Sequence, residues 1–134
     1  GELIGEIAQF ALYHGDLGLP FIFLSGEKDA CAEAEALVPG IATVVVKEGI
    51  SRNAAISLAA PKARSLICAG SNKALTAYKA NPVEPLTVPG PYELEKRFFF
   101  THEADAAAIQ PGAERVDSQT VRFHAASIRE IIYR

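Results

Sequence analysis

Two short apolar runs with a helical stretch between them constrain this chain most. Pro20-Phe21-Ile22-Phe23-Leu24 and Ile41-Ala42-Thr43-Val44-Val45-Val46 are strand-sized and rich in aromatic or β-branched residues. Continuous apolar runs of this length fit strands covered on both faces, whereas a half-exposed strand alternates. Residues 29–37 carry their apolar positions at helical spacing, with Glu33 and Glu35 toward water. Gly26 and Pro39-Gly40 punctuate the joins. Strand, helix and strand in so short a span predict a parallel α/β layer.

The rest of the chain is consistent with that layer. Residues 2–14 place Leu3, Ile4, Ile7, Phe10 and Ala11 near the spacing of an amphipathic helix, ended by Gly15 and Gly18. Ser51 is positioned to cap a short helical segment running to residue 58. Pro61 suits the first turn of a longer helix over 60–80, on which Ala63, Leu66, Ile67, Ala74 and Tyr78 share a face. Gly70 lies on that face. A mid-helix glycine costs about 1 kcal/mol against alanine, so close packing or a bend is expected there.

Residues 81–91 hold four prolines and read as a connector. Beyond them the pattern predicts a strand over 93–100, a helix over 102–109, strands over 115–117 and 120–124, and a last helix over 128–134 capped by Ser127. The expected fold class is therefore α/β: a parallel-type sheet with flanking helices over 1–80, followed after the 81–91 connector by a smaller α+β part over 92–134. At this length the whole is counted as one domain.

Composition narrows the function. A chain of 134 residues, 49% of them hydrophobic and 22% charged, is long enough to bury a core without covalent staples. Its net charge of −3 and scattered basic residues point away from nucleic acid and from anionic membrane surfaces. No apolar run approaches the roughly 20 residues of a membrane helix. Cys31 and Cys68 sit far apart in helical patterns and read as buried free thiols, which favours a reducing, cytoplasmic setting. The chain opens Gly1-Glu2-Leu3 inside an apparent helix, without Met and without a signal peptide, and reads as a portion of a longer protein.

Three segments carry a resemblance. They are Gly5-Glu6-Ile7 opening a helix, the Pro20 strand fourteen residues after Glu6, and Val46-Lys47 followed by Ser51-Arg52. In this order they resemble the C-terminal half of the DppA-type D-aminopeptidases, a family of zinc metallopeptidases. The resemblance runs from Gly5 to the Pro111-Gly112 turn and the Val121 strand, and is strongest before Asn53.

By spacing alone Glu6 is a solvated helix carboxylate. The resemblance makes it a zinc ligand, with Glu2 of the repeated Gly-Glu dipeptide as second choice. It also implies that an upstream Asp-x-Glu pair and two histidines complete a two-metal site. His14, His102 and His124 match none of those positions and read as surface or half-buried residues. Lys47 and Arg52 leave the end of a strand, where open α/β sheets bind ligands. They are candidate substrate-binding residues that neutralise a peptide carboxylate; a helix cap at Ser51 with a structural ion pair accounts for them equally well.

The resemblance thus implies a zinc-dependent aminopeptidase acting on short peptides, D-residue N-termini among them. Its partners are the peptide substrate, the missing N-terminal portion and further copies in a ring-like homo-oligomer, and this portion alone is expected to be inactive. The competing expectation is a non-enzymatic α/β module that binds a small ligand or a partner. An upstream segment bearing Asp-x-Glu and two histidines separates the two.

Overall fold

A computed structural model describes all residues, 1–134. The chain is mixed α/β and divides into two compact units, Gly1–Leu86 and Thr87–Arg134.

In the first unit, α1 (Glu6–Asp16) leads through a short connector into β1 (Phe23–Glu27), α2 (Lys28–Leu37) and β2 (Ala42–Ser51). β3 (Ala54–Ser57) and the long α3 (Ala60–Ala80) follow. The sheet order is β1-β2-β3, with β1 parallel to β2 and β3 antiparallel to it, so β1 and β3 are the two edges. Phe23 and Leu24 are neighbours on β1 and point to opposite faces. Leu24 joins the core formed with Ala11, Ala34, Val38 and Ile41 from the α1 and α2 side. Phe23 lies against Gly70 of α3. Helices therefore cover both faces of the parallel pair.

Two glycines set how closely these layers approach. A Cβ on Gly70 would stand 2.4 Å from Val44 Cγ2 and 3.0 Å from Phe23 Cε2, so its bare backbone lets α3 lie on the sheet. This is the close packing expected at that position. A Cβ on Gly15 would stand 1.8 Å from the Leu86 carbonyl oxygen, which fixes the end of α1 against the middle of the 81–91 connector. The helix over 60–80 lies where its pattern predicts it.

Four expectations about the first unit are corrected. Residues 51–58 form no helix: β2 runs on to Ser51 and turns at Arg52 and Asn53 into β3, with Ser51 opposite Ala54 and Lys47 opposite Ser57. Short apolar runs do not distinguish strand from helix by period, and here pairing with β2 decides. α1 begins at Glu6 rather than residue 2, because Gly5 is tolerated as an N-cap and disfavoured inside a helix. Glu2 accordingly lies outside the helix. β1 begins at Phe23, three residues later than its apolar run; Phe21 instead packs on the core from the connector. Cys31 is buried and free, but Cys68 is an exposed free thiol on α3.

The second unit is an antiparallel sheet of order β4-β6-β5, made of β4 (Tyr92–Arg97), β5 (Ala113–Arg115) and β6 (Thr120–Ala125), with α4 (Thr101–Ala108) and α5 (Ile128–Ile131). β6 alternates as its sequence predicts: Val121 and Phe123 are buried, while Arg122 and His124 face outward among Glu93, Glu95 and Glu114. Ser127 caps α5 by accepting from the Arg129 N–H. β4 ends at Arg97, so Phe98, Phe99 and Phe100 lie outside it, contrary to the strand expected over 93–100. Phe100 instead serves as the N-cap residue of α4, its N–H donating to the Glu103 carboxylate.

Candidate active site

The carboxyl ends of β1 and β2 are the natural place for a ligand in a sheet of this kind. α1 precedes β1 through the connector of residues 17–22 and packs on α2, with Ala11 in the core that Ala34 and Leu24 share. Glu6 stands in the first turn of α1, directly after the Gly5 N-cap, and is exposed. No side chain caps this helix end. The only acidic residue of the first turn, Glu6, is therefore placed where the helix favours negative charge. Glu33 of α2 approaches from the side: a Cβ on Gly5 would stand 3.1 Å from its Oε1.

Lys47 marks a change in β2. It is the last residue paired with β1, opposite Glu27, after a register slip between Gly26 and Glu27. It is also the first paired with β3, opposite Ser57. Beyond it β2 and β3 form an arm whose residues are exposed, with Ile50 of β2 63% and Ile56 of β3 67% accessible. Arg52 sits at the tip, on the turn itself. At about 3.3 Å per residue, the arm carries it roughly 15 Å beyond Lys47. The two cations share one arm but not one spot.

Glu27 is the group that reasoning from sequence passed over. Its Oε2 accepts from the Asp29 and Ala30 N–H groups at 2.7 and 3.2 Å, capping α2. Its Oε1 accepts from the Gly49 N–H of the arm at 3.0 Å. The Gly49 bond chiefly, together with those from the α2 turn, holds the Glu27 carboxyl below the ordinary glutamate range. Beside it the Lys28 ammonium meets Glu48 at 2.9 Å. The signal available in the sequence was a residue with an acceptor side chain directly before a helical pattern and after Ser25-Gly26. Glutamate is not among the preferred N-cap types, which hid it.

The three histidines stay apart. His14 donates its Nδ1–H to the Phe10 carbonyl at 2.8 Å and lies against the Phe10 ring; His102 stacks on Phe100; His124 sits 3.7 Å from both Glu93 and Glu114. No group of three His, Cys, Asp or Glu side chains comes together in a way that holds a metal. These residues therefore do not form a complete zinc shell. No helix is long and apolar enough to cross a membrane.

The family model described as D-aminopeptidase matches residues 1–134. The D-aminopeptidase of Bacillus subtilis (strain 168) is 32% identical over 128 residues, covering 95% of this chain and 46% of that protein. A solved structure of the same species, the Zn-dependent D-aminopeptidase DppA, described as a self-compartmentalizing protease, superposes with a TM-score of 0.87 at 31% identity. It covers 97% of this chain and 47% of its own. The chain thus spans about half the length of the relatives it matches. A match over every residue and a shared fold at this identity establish that the chain belongs to the D-aminopeptidase family of peptidases.

Proposed function

We propose that this chain is one portion of a zinc-dependent aminopeptidase that hydrolyses short peptides, those with D-amino-acid N-termini among them. The observation that carries the reading is the exposed first-turn carboxylate of Glu6, on the helix preceding β1, in a fold shared with a Zn-dependent D-aminopeptidase. In this reading Glu6 gives zinc one oxygen donor, and the other donors come from outside these 134 residues. Zinc supplies Lewis-acid polarisation of the scissile carbonyl and a more acidic bound water. Lys47 and Arg52 contribute positive charge along the β2–β3 arm to orient the peptide carboxylate. The self-compartmentalizing relative supports assembly of several copies into a ring, and two free cysteines accord with the cytoplasm.

The test is Glu6→Gln in the complete protein. Zinc content by elemental mass spectrometry should fall, and hydrolysis of a peptide with a D-residue N-terminus should drop by at least about tenfold, since a ligand amide is a far poorer donor to zinc than a carboxylate. Full zinc content with full activity would remove Glu6 from the site. The 134-residue chain on its own should show no zinc-dependent aminopeptidase activity.

A further inference from the structure

We propose that Glu27 is a positioning residue for peptide binding: its carboxylate ties the first turn of α2 to the outer half of β2 and so fixes the arm bearing Lys47 and Arg52. This rests on the reading of those two residues as partners of the peptide carboxylate. β1 ends at Glu27, where the chain enters α2, but β2 continues to Ser51. A middle strand sends its main-chain hydrogen-bonding groups to the neighbours on either side, and the Gly49 N–H points to where β1 has already stopped. Glu27 Oε1 takes that proton at 3.0 Å, standing in for a further β1 residue.

The two carboxylate oxygens divide the work, one on Gly49 and the other on Asp29 and Ala30. Neither a shorter chain nor a single acceptor does both. The neighbouring Lys28–Glu48 pair has both side chains more than half exposed, 58% and 60%, and is the weaker tie. From Lys47 outward every residue of β2 is exposed, and past Glu27 the arm pairs only with β3. Without Glu27 the arm is free to swing at the register slip between Gly26 and Glu27. Misplaced cations then bind the peptide less well, while groups at the metal are undisturbed.

The experiment uses the complete protein with Glu27→Ala, Glu27→Gln and Gly49→Pro. It measures amide exchange by segment, and KM and kcat for a short peptide with a D-residue N-terminus. In Glu27→Ala, exchange over 47–52 should rise about tenfold relative to 42–45. KM should rise about tenfold with kcat within about twofold, the mark of lost ground-state binding. Glu27→Gln keeps one acceptor oxygen and should fall between. Gly49→Pro removes the donor on the arm, at the cost of a fixed φ there, and leaves Glu27 and the α2 cap unaltered, so it should reproduce the effect even where Glu27→Ala does not fold.

Unchanged exchange over 47–52 in the folded variants overturns the proposal. Lys47→Ala and Arg52→Ala separate it from the reading beneath it. A raised KM in these with an unchanged KM in Glu27→Ala and Gly49→Pro overturns the role of Glu27 alone. A wild-type KM in Lys47→Ala and Arg52→Ala overturns the cation reading, and the Glu27 inference with it.

Discussion

The two halves of β2 are held by different physics. Up to Val46 the strand lies beside β1 with helices on both faces, and its fit to α3 depends on Gly70 leaving room for Val44. Beyond Lys47 it loses both helices and β1, and keeps a hairpin partner, one carboxylate and one ion pair. The inner half is fixed by packing, which tolerates little change of volume. The outer half is fixed by a few polar ties that protonation or a single substitution undoes. A rigid base with a tethered arm is an economical way to bring charged side chains to a site without burying them.

The sharpest way to break this contrast is Gly70→Ala. The new methyl meets Val44 and Phe23, and unfolding by denaturant should show a loss of about 1–3 kcal/mol. Val44→Ala in the same background should recover part of that loss, as a coupled pair must. Unchanged stability in Gly70→Ala would mean that α3 slides freely and that the inner half is no better packed than the arm.

Thiol alkylation sharpens the comparison next. Cys31 is buried, and desolvation there pushes its thiol up, while Cys68 is exposed. Labelling of the native protein followed by peptide mapping should show Cys31 reacting at least about tenfold more slowly than Cys68, at a rate set by local opening. Equal rates would mean that the inner half opens readily.

Acid should act on the arm first. The Glu27 carboxyl titrates lower folded than unfolded, so its tie is fully present above the ordinary glutamate range. The tie is lost as pH falls through the lower, folded value. Exchange over 47–52, corrected for the intrinsic pH dependence, should therefore rise in acid while 42–45 stays protected.

The smallest effect is expected at Ile56→Thr. On an exposed strand it should change stability by no more than about 0.5 kcal/mol. A larger loss would reveal that Ile56 is covered in the working protein.

How far the sequence carried this picture depended on whether local pattern or distant pairing decided each element. The helix over 60–80 has enough turns for its period to be unambiguous; its glycine fitted close packing or a bend, and the contact with Val44 decides for packing. The alternation of Val121 and Phe123 against Arg122 and His124 likewise placed β6 correctly. Residues 54–57 failed because a run as short as Ala54-Ala55-Ile56-Ser57 suits either state, and only the opposite residues of β2 choose between them. Lys47 and Arg52 were legible as charges near a strand end; the length of arm between them was not, since it depends on the same pairing. Glu27 was missed because its partner Gly49 lies across the sheet.

One feature of the sheet bears on handling this polypeptide. β1 is an edge, and its five residues, Phe23 to Glu27, are only half covered. Such an edge offers a row of main-chain donors and acceptors to any strand that arrives. The 134-residue chain on its own is therefore expected to associate along β1 at high concentration, which light scattering would detect. A lysine introduced on that edge is the remedy of choice for anyone who needs it clear.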